Sequence, residues 1–162
     1  MTEANFDSDI PSLRRVLNDY RTIAIVGLSA TWHRPSHFAA KYLIHHGYRV
    51  IPVTPAYEEV LGEKAYPTLA DVPDPVDVVD CFRADRELPA LAEQAVAIGA
   101  KLFWMQLGLR NQQAAKIAID GGLEVIWDRC MKIEHARLFG GLNLVGVNTG
   151  VISSARPRTG AH

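Results

Sequence analysis

A single glycine separates an apolar strand pattern from the start of a helix in the first quarter of the chain. The β-branched run at residues 23–26 leads into Gly27-Leu28-Ser29, and Pro35 then fits the first position of a helix. This arrangement gathers backbone N–H groups and a helix N-terminus at one point, where a phosphate group can bind. The dinucleotide fingerprint G-x-G-x-x-G needs two further glycines, which are absent here. The pattern therefore predicts a phosphate-binding turn without specifying its ligand.

Five apolar, strand-like runs end in segments that carry glycine, proline, arginine or a hydroxyl group. These segments are Gly27-Leu28-Ser29, Val53-Thr54-Pro55, Phe82-Arg83, Gln106-Leu107-Gly108 and Asp128-Arg129-Cys130. In an open parallel sheet, ligands bind beyond the carboxyl ends of the strands. Each segment alone has a structural explanation, since glycines make turns and most arginines lie at the surface. Their convergence on one edge of the sheet predicts a binding site there.

The end of the second predicted strand separates two classes of nucleotide ligand. NAD-binding domains place Asp or Glu there, about 20 residues after the glycine turn, to accept hydrogen bonds from the ribose. This chain has Pro52-Val53-Thr54-Pro55 instead, and its next carboxylate is Glu58. An apolar strand end suits contact with an adenine ring. An NAD(P)-dependent oxidoreductase is therefore the weaker alternative.

Cys130 is the remaining candidate for covalent chemistry. It precedes a predicted short helix and follows Arg129, and both features would stabilise the thiolate of a redox switch. The alternative, which we favour, is that Cys130 packs as a small apolar residue. Cys81 lies inside the third predicted strand and is expected to be inert. Neither cysteine belongs to a CxxC motif or a metal-binding spacing, so no metal site is predicted.

Composition and charge limit the classes of function. The chain has 162 residues, 48% of them apolar, and a formal net charge of −1. No general basic field points to nucleic acid or to an anionic membrane. Two cysteines do not make a disulfide framework and no apolar segment reaches membrane-spanning length, so we expect a cytoplasmic protein. No Ser/His/Asp arrangement or carboxylate pair is suggested, and no catalytic residue is predicted.

Strand and helix patterns alternate along the chain. Strands are predicted at residues 22–27, 48–53, 76–82, 101–106 and 123–128. Helices are predicted from Ser8 or Asp9 onward, at residues 35–46, 85–98 and 111–119, near residues 68–72, and from residue 130. The alternation predicts an α/β fold, a Rossmann-like, doubly wound parallel sheet of five strands in the order 3-2-1-4-5. One domain would cover residues 1–140, and residues 141–162 would form a tail in which residues 142–147 add an edge strand or a dimer contact.

Eight motifs stand in an order known from one family. They are Ile25-Val26-Gly27-Leu28-Ser29, Arg34-Pro35-Ser36, Val50-Ile51-Pro52-Val53-Thr54-Pro55, Gly62, Tyr66-Pro67-Thr68-Leu69, Val79-Asp80-Cys81-Phe82-Arg83, Trp104-Met105-Gln106-Leu107-Gly108 and Asp128-Arg129-Cys130. On these motifs residues 18–138 resemble the stand-alone CoA-binding domain proteins, which are similar in turn to the CoA-binding domain of succinyl-CoA synthetase alpha subunits. The resemblance implies a Rossmann-like domain that binds coenzyme A, free or acylated. The expected protein partner is a second copy of this chain, in a homodimer, or an acyl-CoA enzyme.

The resemblance also implies a role for each strand end. The loop at the diphosphate would be Gly27, Leu28 and Ser29. The groups that bind phosphate oxygens at the start of the helix would be Arg34 and Ser36. The residues flanking the adenine would be Pro52, Val53 and Thr54. The path of the nucleotide and pantetheine would be lined by Phe82 and Arg83, and its far side closed by Gln106, Leu107 and Gly108.

The chain departs from the synthetase pattern in three respects. The synthetase loop carries more glycines, and a lysine follows its strand-two proline where this chain has Ala56. The synthetase also has a second domain with a phosphorylated histidine, for which 162 residues leave no room. We therefore expect a CoA-binding protein that is not an enzyme.

Overall fold

The computed structural model describes residues 10–140, which form a parallel sheet flanked by helices. The sheet contains β1 (Thr22–Val26), β2 (Arg49–Val53), β5 (Val78–Cys81), β6 (Leu102–Met105) and β7 (Glu124–Ile126). The helices are α1 (Ile10–Asp19), α2 (Pro35–His45), α3 (Leu88–Ala97), α4 (Gln112–Asp120) and α5 (Met131–Phe139). A separate hairpin of β3 (Glu59–Val60) and β4 (Glu63–Lys64) comes between β2 and β5 in the sequence. Among these helices, none is both long and apolar enough to cross a membrane.

Two apolar layers cover the two faces of the sheet, as expected for buried parallel strands. In β6, Phe103 and Met105 pack into the layer that contains α3 and α4. Leu102 and Trp104 point to the other face, into the layer that contains α1, α2 and α5. All four side chains are fully buried. This alternation confirms the predicted Rossmann-like α/β fold with a doubly wound parallel sheet of five strands.

The strand order differs from the predicted one. The sheet runs β2-β1-β5-β6-β7, so its five strands in chain order stand as 2-1-3-4-5, and the predicted order 3-2-1-4-5 is wrong. The outer edge of β2 is already occupied, because Thr54 N donates to Tyr66 O at 2.8 Å and Tyr66 N donates to Pro52 O at 3.0 Å. The third long strand therefore pairs with the other side of β1. The reversal of strand order, where ligands bind in such sheets, falls between β1 and β5.

Most predicted elements are confirmed to within a few residues of their ends. The Asn111 side chain caps α4 by accepting from Ala114 N at 2.8 Å. The β3–β4 hairpin was not predicted, since strands of two residues carry no readable alternation. Asp128 has a left-handed φ of 54°, and β7 ends before it, two residues earlier than predicted. The predicted helix start at Ser8 or Asp9 and the tail at residues 141–162 lie outside the described residues.

A histidine links α2 to α5 on one face of the sheet. The Tyr42 hydroxyl lies 2.9 Å from His135 Nδ1, and the His46 ring, 5.1 Å from the His135 ring, stacks on Tyr42. His135 is only 9% exposed. Burial lowers the pKa of His135 to about 4, and the nearby His46 and Arg21 act in the same direction. The α2–α5 contact therefore depends on a neutral imidazole.

We expect acid to weaken this contact well before general acid unfolding. The folded-state pKa of His135 lies below the unfolded value, so its contribution is complete above about pH 6.5 and is lost as the pH falls towards 4. Linkage gives a loss of about 2 kcal/mol in unfolding free energy between pH 7.5 and pH 5. Urea unfolding at both pH values measures it. His135→Gln should flatten this pH dependence, whereas the exposed-site control His33→Gln should keep it. An unchanged slope in His135→Gln would rule out this role.

Candidate functional site

The site is built around Gly27, where β1 ends between its two neighbours. Gly27 N donates to Val53 O at 2.9 Å, and Phe82 N donates to Val26 O at 2.9 Å. Gly27 has φ +86°, and a Cβ there would lie 2.4 Å from Phe82 O and 2.7 Å from Arg83 Cδ. Only glycine satisfies both the left-handed backbone and the close approach of β5. This crowding brings the ends of three strands to one point.

The loop after Gly27 folds back onto the first turn of α2. Ser29 N donates to Ser36 Oγ at 3.0 Å, and Thr31 N donates to Ser29 Oγ at 3.0 Å. The ring of His37 reaches the Ser29 carbonyl oxygen with Nδ1 at 3.0 Å. Pro35 opens the helix, and the side chain of the N-cap residue Arg34 does not cap it. The loop therefore presents hydroxyl groups and the positive end of a helix dipole to the same space.

Two cavities open on opposite sides of the β1 end and share Gly27. The smaller, which we call the α2 cavity, has about 280 Å³. It is lined by Gly27, Ser29, Arg34, Pro35, Ser36 and Phe82. The larger, the α3 cavity, has about 530 Å³. It is lined by Val26, Gly27, Val53, Pro55, Pro67, Thr68, Arg83, Arg86, Glu87, Ala90, Leu91 and Gln94.

The two cavities differ in chemistry. In the α2 cavity the only charged lining side chain is Arg34, and no salt bridge to it forms among residues 10–140. The lining of the α3 cavity combines apolar side chains with an ion pair, in which Arg83 Nη2 donates to Glu87 Oε1 at 2.7 Å. That arginine holds the pKa of Glu87 below its usual range. With Arg86 added, the lining of the α3 cavity carries one excess positive charge. The pair of cavities therefore suits an anionic ligand with one flat apolar part.

The structure brings seven of the predicted site residues to these cavities and leaves the others outside. The α2 cavity contains Gly27, Ser29, Arg34, Ser36 and Phe82, and the α3 cavity contains Gly27, Val53 and Arg83. The predicted residues that line neither cavity are Leu28, Pro52, Thr54, Gln106, Leu107 and Gly108. The side chain of Leu28 is buried in the core. Thr54 is also buried, and its Oγ1 accepts from Ala56 N at 3.1 Å.

The end of β6 is tied to the end of β7 instead. Gly108 N donates to Asp128 Oδ1 at 2.7 Å, and Arg110 Nε donates to Oδ2 at 3.0 Å. The Gly108 hydrogen bond holds the pKa of Asp128 below its usual range, with Arg110 contributing. Leu107, between these anchors, is 51% exposed. This loop is fixed at its base and presents an apolar side chain to solvent.

We did not predict from the sequence that one face of α3, with the residue before it, lines the site. Glu87, Ala90, Leu91 and Gln94 recur at i, i+3, i+4 and i+7 and all line the α3 cavity. That spacing, in a helix that follows the third long strand, could have predicted that these residues face the carboxyl ends of the strands. Pro67 and Thr68 carried no comparable pattern, because they reach the cavity only through the hydrogen bonds of Tyr66 at the edge of β2.

Comparison with known proteins identifies the family. The sequence profile described as "CoA binding domain" matches residues 21–136. The chain belongs to the CoA-binding domain family. It is 39% identical over 124 residues to the uncharacterized protein YneT of Bacillus subtilis, covering 76% of this chain and 92% of YneT. A solved structure of a hypothetical protein from Pyrococcus horikoshii superposes with a TM-score of 0.82 at 41% identity, covering 86% of this chain and 99% of that one.

The CoA-binding domain also occurs in much longer proteins. An ADP-forming acetate–CoA ligase of Archaeoglobus fulgidus is 29% identical over 98 residues, which are 59% of this chain and 14% of the ligase. This chain therefore corresponds to one part of that enzyme.

The surroundings of Cys130 in this CoA-binding domain disfavour the activated thiol that a redox switch requires. It is 9% exposed, and burial raises the pKa of its thiol. Backbone N–H groups of Ile133 and Lys132 at the start of α5 oppose this shift, but their effect is smaller than that of burial. The environment of Cys130 therefore favours a packed, protonated thiol over the thiolate of a redox switch. Cys81 is fully buried in β5, and burial raises its pKa as well, in agreement with an inert core residue.

We expect Gly27→Ala to destabilise the CoA-binding domain strongly. The new Cβ would meet Phe82 O at 2.4 Å in addition to the left-handed strain. Gly122→Ala is the matched control, because Gly122 has φ +90° with nothing within 4 Å of where its methyl group would stand. Left-handed strain costs about 1–2 kcal/mol at either site, and overpacking adds about 1–3 kcal/mol at Gly27 alone. Chemical unfolding of both variants measures the difference, and equal losses would contradict the close approach of β5.

Proposed function

We propose that this protein binds coenzyme A through the nucleotide half of the ligand and does so without catalysing a reaction. The observation that carries the proposal is the pair of cavities that share Gly27, one at a helix N-terminus with Arg34 and one that combines apolar side chains with Arg83 and Arg86. CoA has a diphosphate between an adenosine 3′-phosphate and a pantetheine arm. A ligand of that shape spans both cavities when its diphosphate crosses the glycine.

The α2 cavity supports binding of the diphosphate. Ser36 Oγ accepts from Ser29 N at 3.0 Å and Ser29 Oγ accepts from Thr31 N at 3.0 Å, so both hydroxyl groups are held at the loop. Arg34 adds a cation that forms no salt bridge within residues 10–140 and can make charge-assisted hydrogen bonds to phosphate oxygens. The dipole of α2 adds positive potential at the same place.

The α3 cavity supports binding of the adenosine 3′-phosphate. Val53, Pro55 and Leu91 give an apolar surface for the adenine ring, and Pro52 and Thr54 hold the backbone behind it. Arg83 and Arg86 line the same cavity and can bind a phosphate. No carboxylate stands at the end of β2 to accept from a ribose 2′-hydroxyl, which argues against NAD.

The lining residues give no support for catalysis. The single carboxylate among them is Glu87, which is engaged by Arg83. The hydroxyl groups of Ser29 and Ser36 accept backbone hydrogen bonds, and within residues 10–140 neither hydroxyl is bonded to a histidine ring. An activated nucleophile needs an adjacent base. We therefore infer a binding module that holds free or acylated CoA.

Isothermal titration calorimetry with CoA, dephospho-CoA and NAD tests the proposed ligand. We expect CoA to bind and dephospho-CoA to bind about tenfold or more weakly, because it lacks the group that meets Arg83 and Arg86. NAD should bind more weakly still. Absence of CoA binding, or tighter binding of NAD, would contradict the proposal.

Replacement of one arginine tests the position of the diphosphate. Arg34→Ala should weaken CoA binding about 10- to 100-fold, since a hydrogen bond to a charged group contributes about 1.5–3 kcal/mol. The matched control is Arg49→Ala, which removes an exposed arginine paired with Asp74 at the amino end of β2. Calorimetry should give the control the affinity of the unmodified protein. Equal effects of both substitutions would point to general electrostatics and away from the α2 cavity.

A further inference from the structure

A buried carboxyl group without a hydrogen-bond partner among residues 10–140 lies close to the proposed CoA site, two residues before Phe82. Asp80 in β5 is 0% exposed, and both of its carboxyl oxygens lack a hydrogen-bond partner among residues 10–140. The Oε1 atom of Gln106 is likewise buried and unpartnered within those residues. Buried polar atoms in folded proteins are nearly always hydrogen-bonded, so such atoms indicate a missing partner. Burial raises the pKa of Asp80 to about 8, so the group is neutral at pH 7 and costs less to bury.

The register of the sheet places Asp80 on the face covered by α2 and α5. Asp80 pairs with Trp104 on β6, and Trp104 belongs to the layer that contains α5. Because side chains alternate along a strand, Phe82 and Gln106 are the next outward residues on this face. Trp104 Nε1 donates to Arg129 O at 2.7 Å, which fixes the start of α5 over the same spot.

Cys130 completes a cluster with these two residues. The Gln106 side chain hydrogen-bonds the Cys130 sulfur, and the Asp80 carboxyl interacts electrostatically with it. We call Asp80, Gln106 and Cys130 the buried polar cluster. Asp80 lies in β5, Gln106 directly follows β6, and Cys130 is the N-cap residue of α5. The cluster therefore combines hydrogen-bonding oxygens with a polarisable sulfur.

Phe82 connects this cluster to the α2 cavity. It lines that cavity and lies two residues beyond Asp80, on the same face of β5. Successive residues on one face of a strand are about 7 Å apart. A flexible arm that leaves the diphosphate at the α2 cavity and passes Phe82 therefore extends toward the cluster.

We propose that the buried polar cluster receives the thiol end of the pantetheine arm and thereby selects free CoA over acyl-CoA. This inference rests on the proposed function. The thiol S–H donates to an orphaned oxygen of Asp80 or Gln106, and its sulfur contacts Cys130. A thioester sulfur has no hydrogen to donate.

Three ligands test the selection without altering the protein. Calorimetry is performed with CoA, with desulfo-CoA, which lacks only the sulfur, and with acetyl-CoA, and adenosine 3′,5′-bisphosphate reports the nucleotide half. We expect CoA to bind about tenfold more tightly than desulfo-CoA and acetyl-CoA, the effect of one buried hydrogen bond. Acetyl-CoA or desulfo-CoA binding as tightly as CoA, while the bisphosphate binds, would overturn this inference alone. Failure of all four ligands to bind would overturn the proposed function with it.

Two substitutions locate the effect in the cluster. Asp80→Leu should abolish the preference for CoA over desulfo-CoA while leaving the affinity for the bisphosphate unchanged. It should not lower the unfolding temperature, because it removes an unpaired buried carboxyl group of similar size. Cys130→Ala should reduce the preference in the same way if Asp80→Leu fails to fold. Cys81→Ala, on the opposite face of β5, should keep the preference, and a preference that survives in both cluster variants would overturn the assignment.

Discussion

The site depends on how closely the end of β1 is held between β2 and β5. This close spacing requires glycine at position 27. Gly27 N donates to Val53 O on one side, and on the other side the Phe82 carbonyl oxygen occupies the space that a Cβ would need. The same contact determines where the two cavities lie, since both are lined by this residue. Any side chain at this position would push β5 away from β1. The positions of the arginines and hydroxyl groups around the two cavities therefore depend on this one glycine.

The second constraint is the occupied edge of β2. Tyr66 forms two backbone hydrogen bonds along that edge, and they direct the chain to the far side of β1 for its next long strand. As a result, the crevice between β1 and β5 is bordered by helices from both faces, α2 on one and α3 on the other. This explains why two cavities with different linings meet at a single residue. A ligand with a charged centre and two different ends fits such a crevice.

The sequence predicted the elements and named seven residues that line the two cavities, but it did not predict the strand order or most of the lining of the α3 cavity. Periodicity and caps such as Asn111 determine helices and strands locally, and parallel strands then bring their carboxyl ends together. Strand order depends on backbone bonds of Tyr66, which leave no side-chain pattern. Pro52 was an unused signal, because a proline in a strand favours an edge position. Thr68 and Gln94 are ordinary surface residue types and meet only through the fold.

The most direct test of where the ligand binds is an amide NMR titration of the protein with coenzyme A. We expect the largest shift changes at the amides of Gly27, Ser29 and Ser36, with further changes at Arg83 and Leu91 across the β1 end. The exposed surface formed by Arg15 and Glu124, far along the sheet, should not respond. Shift changes confined to that surface, with Gly27 unaffected at saturation, would contradict the claim that CoA binds where β1 meets β5.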